Sequence, residues 1–493
     1  MACVPHRRAC PGAESPLLAT SHHAARTRPV AARQPCRAIV GCNRPSPKKG
    51  APRRAIRSCD PPPRARADPP RSGFTKNAVF DKISIMISET FSVGSSLLSG
   101  AVVPPLSKSL LHRRLIATAL ADGASLLTYK LPCAPSKDIL ATYNALSALV
   151  KPIGDESPVV LDCGESGTTL RLLVPIVACL GRTATFVGHG RLPNRPMQPY
   201  ADAFASHGVT LEFPDRPETF LPLAISGRLQ PGIYSLPGNI SSQFISGLLF
   251  ALPLLGKASE IRLTSPLESE AYVRMTIATM KEFGIDILPS DKGGFAIPAN
   301  SRYSLPDSTN SVETDASQAA FWHLANFLGS SVAISGETPS SLQGDSIFPE
   351  LLDRLRAETP GDTLDIDVSQ TPDLVPALAA AAAYAPGTTR LVNAARLRIK
   401  ESDRLSTTCA LLRAFGSECQ ELPDALVIPP GPPTPPNRPV EVDGANDHRI
   451  VMTAAMLATR HPCTIKGTEA VDKSYPTFFD DYRRVGGIAT RLG

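Results

Sequence analysis

Three stretches of the chain share one arrangement of apolar and polar positions. "YADAFASHGVTLEF" (200–213), "MTIATMKEFGIDIL" (275–288) and "TTCALLRAFGSECQEL" (407–422) each place apolar residues at helical spacing, then a glycine, then an alternating run. That order predicts a helix, a glycine C-cap and a strand. "ATYNALSALVKPIGDESPVVLD" (141–162) reads as a copy with a longer loop. Such a unit is too small to bury its own helix, so its repetition predicts stacked α/β modules. Alternating strands offer one apolar face, so helices are expected inside each domain with sheets as its walls. A chain of 493 residues exceeds one core, which predicts two domains and some extra length.

The pattern breaks abruptly near the end of the third quarter. The apolar run "LVPALAAAAAYAPGTTRLVNA" (374–394) leads into "RLRIKESDR" (396–404), which holds six charged side chains in nine positions. A solvated helix face tolerates this density, but here the charges sit at the edge of a segment that reads as core.

Composition adds one correction. The formal charge of +6 is unevenly spread. Residues 1–85 carry 17 Lys and Arg against 4 Asp and Glu, whereas the remainder carries 34 against 41, so the body is mildly acidic. The first 85 residues are rich in Arg, Pro and Ala without helical or strand period, and are expected to be a disordered basic extension. The period begins near Phe80, where "KISIMISETF" reads as a strand containing Met86. A start set too far upstream is favoured for this extension, then a targeting segment, then a nucleic-acid-binding arm, since the extension lacks the aromatic interleaving that base stacking would need. Of 11 cysteines, five lie in the extension; Cys133, Cys163, Cys179, Cys409, Cys419 and Cys463 stand singly, with no metal-ligand spacing. Reduced, mostly buried thiols are expected, and no apolar run reaches the ~18 residues of a membrane span.

Candidate chemistry is scattered. "PPLSKSLLHRRLIATAL" (104–120) puts Ser107, Lys108 and Ser109 ahead of a helix, where free N–H groups favour an anion, with Arg113 a turn further on. "LDCGESGTTLRLL" (161–173) repeats this, with Gly167 allowing close approach and Thr168 and Thr169 as caps. "GRLPNRP" contributes Arg195; "LPGNISSQF" contributes Ser241, Ser242 and Gln243; "ESEAYVRM" offers Ser269 and Tyr272. "NDHRIVM" adds Arg449 and "VDKSYPTFFD" adds Lys473. Each alone has an ordinary structural reading as a helix cap or a solvated charge.

Taken in order, SKSxxHR, SGTTxR, SSQF, KESDR, DHR and the final lysine motif resemble the 5-enolpyruvylshikimate-3-phosphate synthase (3-phosphoshikimate 1-carboxyvinyltransferase) family, from about Met86 to the C-terminus. The resemblance implies an inside-out α/β barrel of two similar domains, each of three βαβαββ-type repeats. It places one domain at 107–314 and the other at 86–106 with 315–493, the chain crossing at "PPLSKS" and again at Asp315. Hinges near Pro105 and Thr314 would let the halves close on ligands. The implied reaction moves the enolpyruvyl group of phosphoenolpyruvate onto the 5-hydroxyl of 3-phosphoshikimate and releases phosphate, without metal or cofactor. Two phosphates and two carboxylates in one cavity would account for the dense cations. Lys108, Gly167, Arg195, Gln243, Arg404, Arg449 and Lys473 match positions at phosphoenolpyruvate. Lys108, Ser109, Arg113, Ser241, Ser242, Gln243, Ser269, Asp373 and Lys400 match contacts to 3-phosphoshikimate. Asp373 matches the proton acceptor and Glu401 the proton donor, with Lys108 beside them, while Asp403 is read as orienting arginines. Two positions depart: Arg396 stands where some members carry an asparagine contacting 3-phosphoshikimate, and Leu172 where glyphosate-sensitive members carry proline.

Two other readings compete. The related UDP-N-acetylglucosamine enolpyruvyl transferase uses a loop cysteine, yet no cysteine falls between Cys179 and Cys409. Nucleic-acid binding rests on the basic extension alone and is opposed by the acidic body. Only small-molecule partners are expected, with no nucleic acid and no membrane. The chain should be a cytoplasmic monomer, or plastid-targeted if the extension is a transit segment. A chain beginning at Met86 is expected to keep its fold and activity; a loss in kcat/KM beyond about tenfold on truncation would contradict this.

Overall fold

The computed structural model describes residues 88–492 apart from 127–128, 151–157, 218, 308–311, 435–436 and 438. The basic extension and the start at Met86 therefore lie outside the described residues. Within them, the βαβαββ unit recurs with one topology. Val159–Asp162 pairs parallel with Ala184–Val187, which pairs antiparallel with Leu223–Gly227, and that strand with Val209–Glu212. The same parallel, antiparallel, antiparallel order joins Ile233–Leu236, Ser259–Leu263, Gly294–Ile297 and Leu288–Pro289. It appears again in Thr363–Asp367, Thr388–Val392, Leu426–Ile428 and Gln420–Glu421. In the fourth sheet Val440–Asp443, Cys463–Lys466 and Ile488–Leu492 are completed by Thr90–Gly94, the start of the described chain. A fifth sheet is only the parallel pair Ser99–Val102 and Ser331–Ile334.

Burial shows why the sheets face outward. The helices joining the parallel pairs are apolar around most of their length beyond the first turn, and must be enclosed. All eleven residues of His448–Ala458 and all eight of Val375–Ala382 are buried. Twelve of the fourteen in Gly167–Leu180 and nine of the ten in Ser242–Ala251 are also buried. Strands such as Val440–Asp443 alternate buried and exposed, with one face against these helices and one toward water. The fold is thus an α/β arrangement of two similar domains with helices inside and sheets as walls, as the periodicity predicts. Each domain has its own apolar core, one running from Leu111 to Ile297 and the other joining Phe91–Val102 to residues 320–489. The glycines that end the repeated helices, Gly208, Gly284 and Gly416, have φ of 79°, 83° and 96°, a conformation other residues adopt at a cost.

The two crossings between the cores lie side by side. Leu106 and Thr314 form an antiparallel bridge; Ser107 N donates to Glu313 O at 2.9 Å and Asp315 N to Pro105 O at 2.8 Å. No helix among the described residues is long and apolar enough to cross a membrane.

Candidate active site

Helix N-terminal turns from both domains meet at one cavity. Residues at or just before the starts of Lys108–Ala121, Gly167–Leu180, Ser242–Ala251 and Glu270–Glu282 line it from one domain. Those at the starts of Ala316–Phe327, Val375–Ala382, Arg404–Ala414 and His448–Ala458 line it from the other. Helix N-termini carry unpaired N–H groups and partial positive charge, so their convergence favours an anion. Eight Lys and Arg side chains line the cavity against four Asp and Glu, and that excess points the same way.

The densest cluster surrounds Arg404, the first residue of its helix, with a side chain 1% exposed. Its Nε donates to Asp447 Oδ2 at 2.8 Å, Nη1 to Asp373 Oδ1 at 2.7 Å, and Nη2 to Glu401 Oε2 at 2.6 Å. Asp447 is fully buried and also caps the His448 helix by accepting from Arg449 N. Asp403 caps the Arg404 helix through Ser406 N and pairs with Arg398, which fits an orienting role. Asp373 further receives Arg449 Nη2 at 3.1 Å and Tyr272 OH at 3.2 Å, with Lys400 Nζ at 3.5 Å. Burial pushes the Asp373 carboxyl up, but Arg449, Lys400, Arg404 and Lys108 outweigh it and hold it well below the usual carboxylate range. Burial likewise raises Glu401, and Arg404 and Arg195 overcome it, again holding the acid well below that range. Both carboxylates are therefore ionised in this arrangement.

The opposite wall is ordered by the first domain. The Arg195 guanidinium lies over Gly167, where an added Cβ would sit 2.6 Å from Arg195 Nη1, so a side chain here would push the guanidinium aside. The Gly167 helix is capped by Ser166, which accepts from Thr169 N at 3.1 Å, and not by Thr168 or Thr169 as the sequence suggests. Thr168 is instead free to accept from Gln243 Nε2 at 2.9 Å, while Gln243 Oε1 accepts from Arg171 Nη1 at 2.9 Å. Ser241 caps the helix that begins at Ser242. Arg113 donates to Thr276 Oγ1, Ser109 O and Tyr272 O, and burial lowers its guanidinium to about 10. At the start of the Lys108 helix one backbone N–H is met by a carboxylate of the chain itself: Asp315 Oδ2 accepts from Lys108 N at 2.9 Å. Lys108 Nζ turns to Asp138 at 2.8 Å.

All but one of the site residues expected from sequence line this cavity. Lys473 stands apart from the lining, its ammonium held by Glu165 Oε2 at 2.9 Å and Asn446 O at 2.6 Å. Tyr272, offered by the sequence beside Ser269, lines the cavity too, whereas sequence reading missed Arg171 and His448 as lining residues. Among the described residues both ring nitrogens of His448 are buried without a hydrogen-bond partner, and burial, then Lys108 and Arg449, keep it neutral. Asp447 and Asp315 were missed as partners, although both precede a helix as an Asp cap would. Among the described residues no cluster of His, Cys, Asp or Glu could hold a metal ion.

A cleft of converging helix ends and paired carboxylates, walled by outward sheets, is the architecture of the enolpyruvyl transferases. The enolpyruvyl transferase NikO from Streptomyces tendae superposes with a TM-score of 0.60 over 82% of this chain and 99% of that one, at 17% identity, a likeness of fold. EPSP synthase from Acinetobacter baumannii superposes with a TM-score of 0.62 at 25% identity, over 82% of this chain and 100% of its own. The family model for EPSP synthase (3-phosphoshikimate 1-carboxyvinyltransferase) matches residues 93–482. The 3-phosphoshikimate 1-carboxyvinyltransferases of Clostridium kluyveri and Clostridium acetobutylicum are 39% and 40% identical, over 80% and 79% of this chain and 97% and 96% of theirs. The chain belongs to the EPSP synthase family.

Lys400 supplies a test of the site's electrostatics. Burial, with Arg396 and Arg404 nearby, outweighs the pull of Asp373 and Glu401 and brings its ammonium down to about 8. Its charged form is thus disfavoured by folding, a cost that is relieved as pH rises from about 8 toward the unfolded value near 10.4. An amine-acylating reagent followed by peptide mapping should label Lys400 with a midpoint near pH 8, ahead of ordinary surface lysines. A midpoint above about 10 would show that the cavity does not shift it.

Proposed function

We propose that the cavity holds 3-phosphoshikimate and phosphoenolpyruvate side by side, in a closed cleft between domains 107–314 and 86–106 with 315–493. The chain is an enolpyruvyl transferase of the shikimate pathway, in aromatic amino acid biosynthesis. One observation carries the assignment of roles: Asp373 and Glu401, a base and an acid, accept from the same buried guanidinium at 2.7 and 2.6 Å. Arg404, Arg195 and Arg449 grip the carboxylate and phosphate of phosphoenolpyruvate, Arg195 held in place by the bare Gly167. Lys108 and Gln243 reach both substrates; Ser109, Arg113, Ser241, Ser242, Ser269 and Lys400 bind the phosphate and polar ring groups of 3-phosphoshikimate. Lys473 joins the phosphoenolpyruvate side on leaving Glu165.

The chemistry is addition followed by elimination. Asp373 takes the proton of the 5-hydroxyl as its oxygen bonds to the central carbon of phosphoenolpyruvate, and Glu401 protonates the methylene carbon. Loss of phosphate, with a proton leaving the new methyl group, restores the double bond. Glu401 must be protonated to act. The incoming anion takes up the charge of Arg404 and Arg195, the same cations that keep Glu401 ionised without it. The helix-lined cavity excludes water and strengthens each of these interactions. The six cysteines among the described residues are unpaired and five of them are buried, which fits a reducing compartment, and we place the enzyme in the cytoplasm as a monomer.

A phosphate-release assay with phosphoenolpyruvate and either 3-phosphoshikimate or UDP-N-acetylglucosamine tests the reading directly. Turnover with the nucleotide sugar alone would replace it with the related transferase. Glu401→Gln should lower kcat by roughly 10²–10⁴-fold with binding of both substrates largely kept. Arg404→Lys keeps the charge but loses the planar fork, so the KM for phosphoenolpyruvate should rise far more than that for 3-phosphoshikimate. Because Arg404 is buried on three carboxylates, the same change should also cost ~1–3 kcal/mol in denaturant unfolding.

A further inference from the structure

Glu165 is a carboxylate that the reaction above leaves without a task, yet it holds the one expected site residue that stands apart from the cavity. Its Oε2 accepts from Lys473 Nζ at 2.9 Å and from Asn446 Nδ2 at 2.7 Å, while Lys473 Nζ also donates to Asn446 O at 2.6 Å. The pair is enclosed, with side chains 6% exposed for Lys473 and 13% for Glu165. The other carboxylate oxygen lies 4.0 Å from the exposed His189. The space for this carboxylate is left by a glycine: a Cβ added at Gly190, where φ is 61°, would collide with Glu165 Oε2.

The chain around the pair borders the cavity on every side. Gly167 follows Glu165 by two positions and His448 follows Asn446 by two, and both line it. The Lys473 carbonyl accepts from the lining residue Lys108, through Nζ, at 3.4 Å. The lysine backbone therefore abuts the lining, and its ammonium sits on a flexible four-carbon stem. That ammonium has three donors, of which Glu165 and Asn446 take two. A phosphate drawn to it meets a cation already answered at close range. With little water present, repulsion from the first anion cancels much of the attraction for the second. Carboxylate and phosphate thus compete for one charge.

We propose that Glu165 is a positioning residue that sets the affinity of the donor site for phosphate. It occupies Lys473 in place of a phosphate and so keeps the hold on that group weak, for phosphoenolpyruvate on entry and for inorganic phosphate on exit. Each turnover leaves a phosphate in the cavity beside the cations that bound the donor. An internal carboxylate that reclaims the lysine keeps this product from blocking the next donor molecule. The inference rests on the placement of phosphoenolpyruvate beside Lys473 proposed above.

The test uses the full chain and the E165Q and E165D variants. Glutamine keeps the shape and an acceptor oxygen for Lys473 and Asn446 but removes the charge. In E165Q the inhibition constant of inorganic phosphate against phosphoenolpyruvate, and the KM for phosphoenolpyruvate, should both fall by roughly tenfold. The KM for 3-phosphoshikimate should stay within about threefold. E165D keeps the charge and should lie closer to the wild type. In a K473M background, E165Q should change neither phosphate constant by more than about twofold, because the competition acts through the lysine alone. A rise of both constants in E165Q would overturn the inference, since Glu165 would then hold Lys473 ready for the phosphate. Unchanged constants, or equal weakening of both substrates, would overturn it too and leave the pair as a structural tie. If E165Q fails to fold, E165D carries the comparison, because its shorter arm loosens the grip on Lys473 and should strengthen phosphate inhibition by a smaller factor. Wild-type protein that releases no phosphate from phosphoenolpyruvate with 3-phosphoshikimate would instead refute the underlying function, a result distinct from an active wild type with an indifferent E165Q.

Discussion

A guanidinium cannot lie inside a protein unless its charge is met there, and Arg404 is met three times. Asp447, Asp373 and Glu401 take its donors at 2.6 to 2.8 Å, and each carboxylate belongs to a different local structure. Asp447 starts one helix, Asp373 sits in the turn before another, and Glu401 precedes the Arg404 helix itself. Removing one member of a buried ion cluster leaves the others uncompensated, at a cost of several kcal/mol. The positions of three chain segments are therefore coupled through one side chain. The two carboxylates assigned to proton transfer inherit both their geometry and their ionisation from it.

The fold makes such a cluster affordable by placing helix ends where charges are needed. Because the joining helices are apolar beyond their first turns and buried all round, they must fill the interior, and their N-termini then open inward toward the cleft. Sheets on the outside satisfy their backbone among themselves and leave the interior to helix dipoles and side chains. Side chains that would be solvated caps in an ordinary α/β protein here become lining. Ser241, which caps its helix, and Ser269, which starts one without capping it, show both ways this happens.

Much of this was legible in the chain itself. The helix, glycine and strand period foretold the repeating unit, because a glycine at left-handed φ is the cheapest way to end a helix and turn into a strand. The charge density of 396–404 beside an apolar run marked the site, since six charges have no reason to gather at a core edge unless they face one another or a ligand. What was not legible depended on distance along the chain. Asp315 satisfies the helix of Lys108 from 207 positions away, and Glu165 holds Lys473 from 308 positions away. Neither is visible to local spacing. Arg171 sits on a helix whose other residues are mostly core, so its neighbours do not mark it as lining, and Lys473 matched its motif while its ammonium faces a partner that no motif includes.

The paired crossings carry a topological consequence. Leu106 and Thr314 are bridged, and the flanking backbone bonds at 2.8 and 2.9 Å make the two crossings a short ribbon. The chain between them leaves the other domain and returns to it at the same place, so in connectivity it is an insertion with adjoining ends. Ends that adjoin add little chain-closure entropy when the insertion folds first, and they let one domain assemble while the other waits for its final strand. The first strand of the described chain is likewise enclosed late. Thr90–Gly94 lies between Cys463–Lys466 and Ile488–Leu492, so the earliest strand of the described chain is locked only once the C-terminal strands have been made. A ribosome releasing this protein would therefore hold one finished domain and one open sheet edge until the last residues emerge.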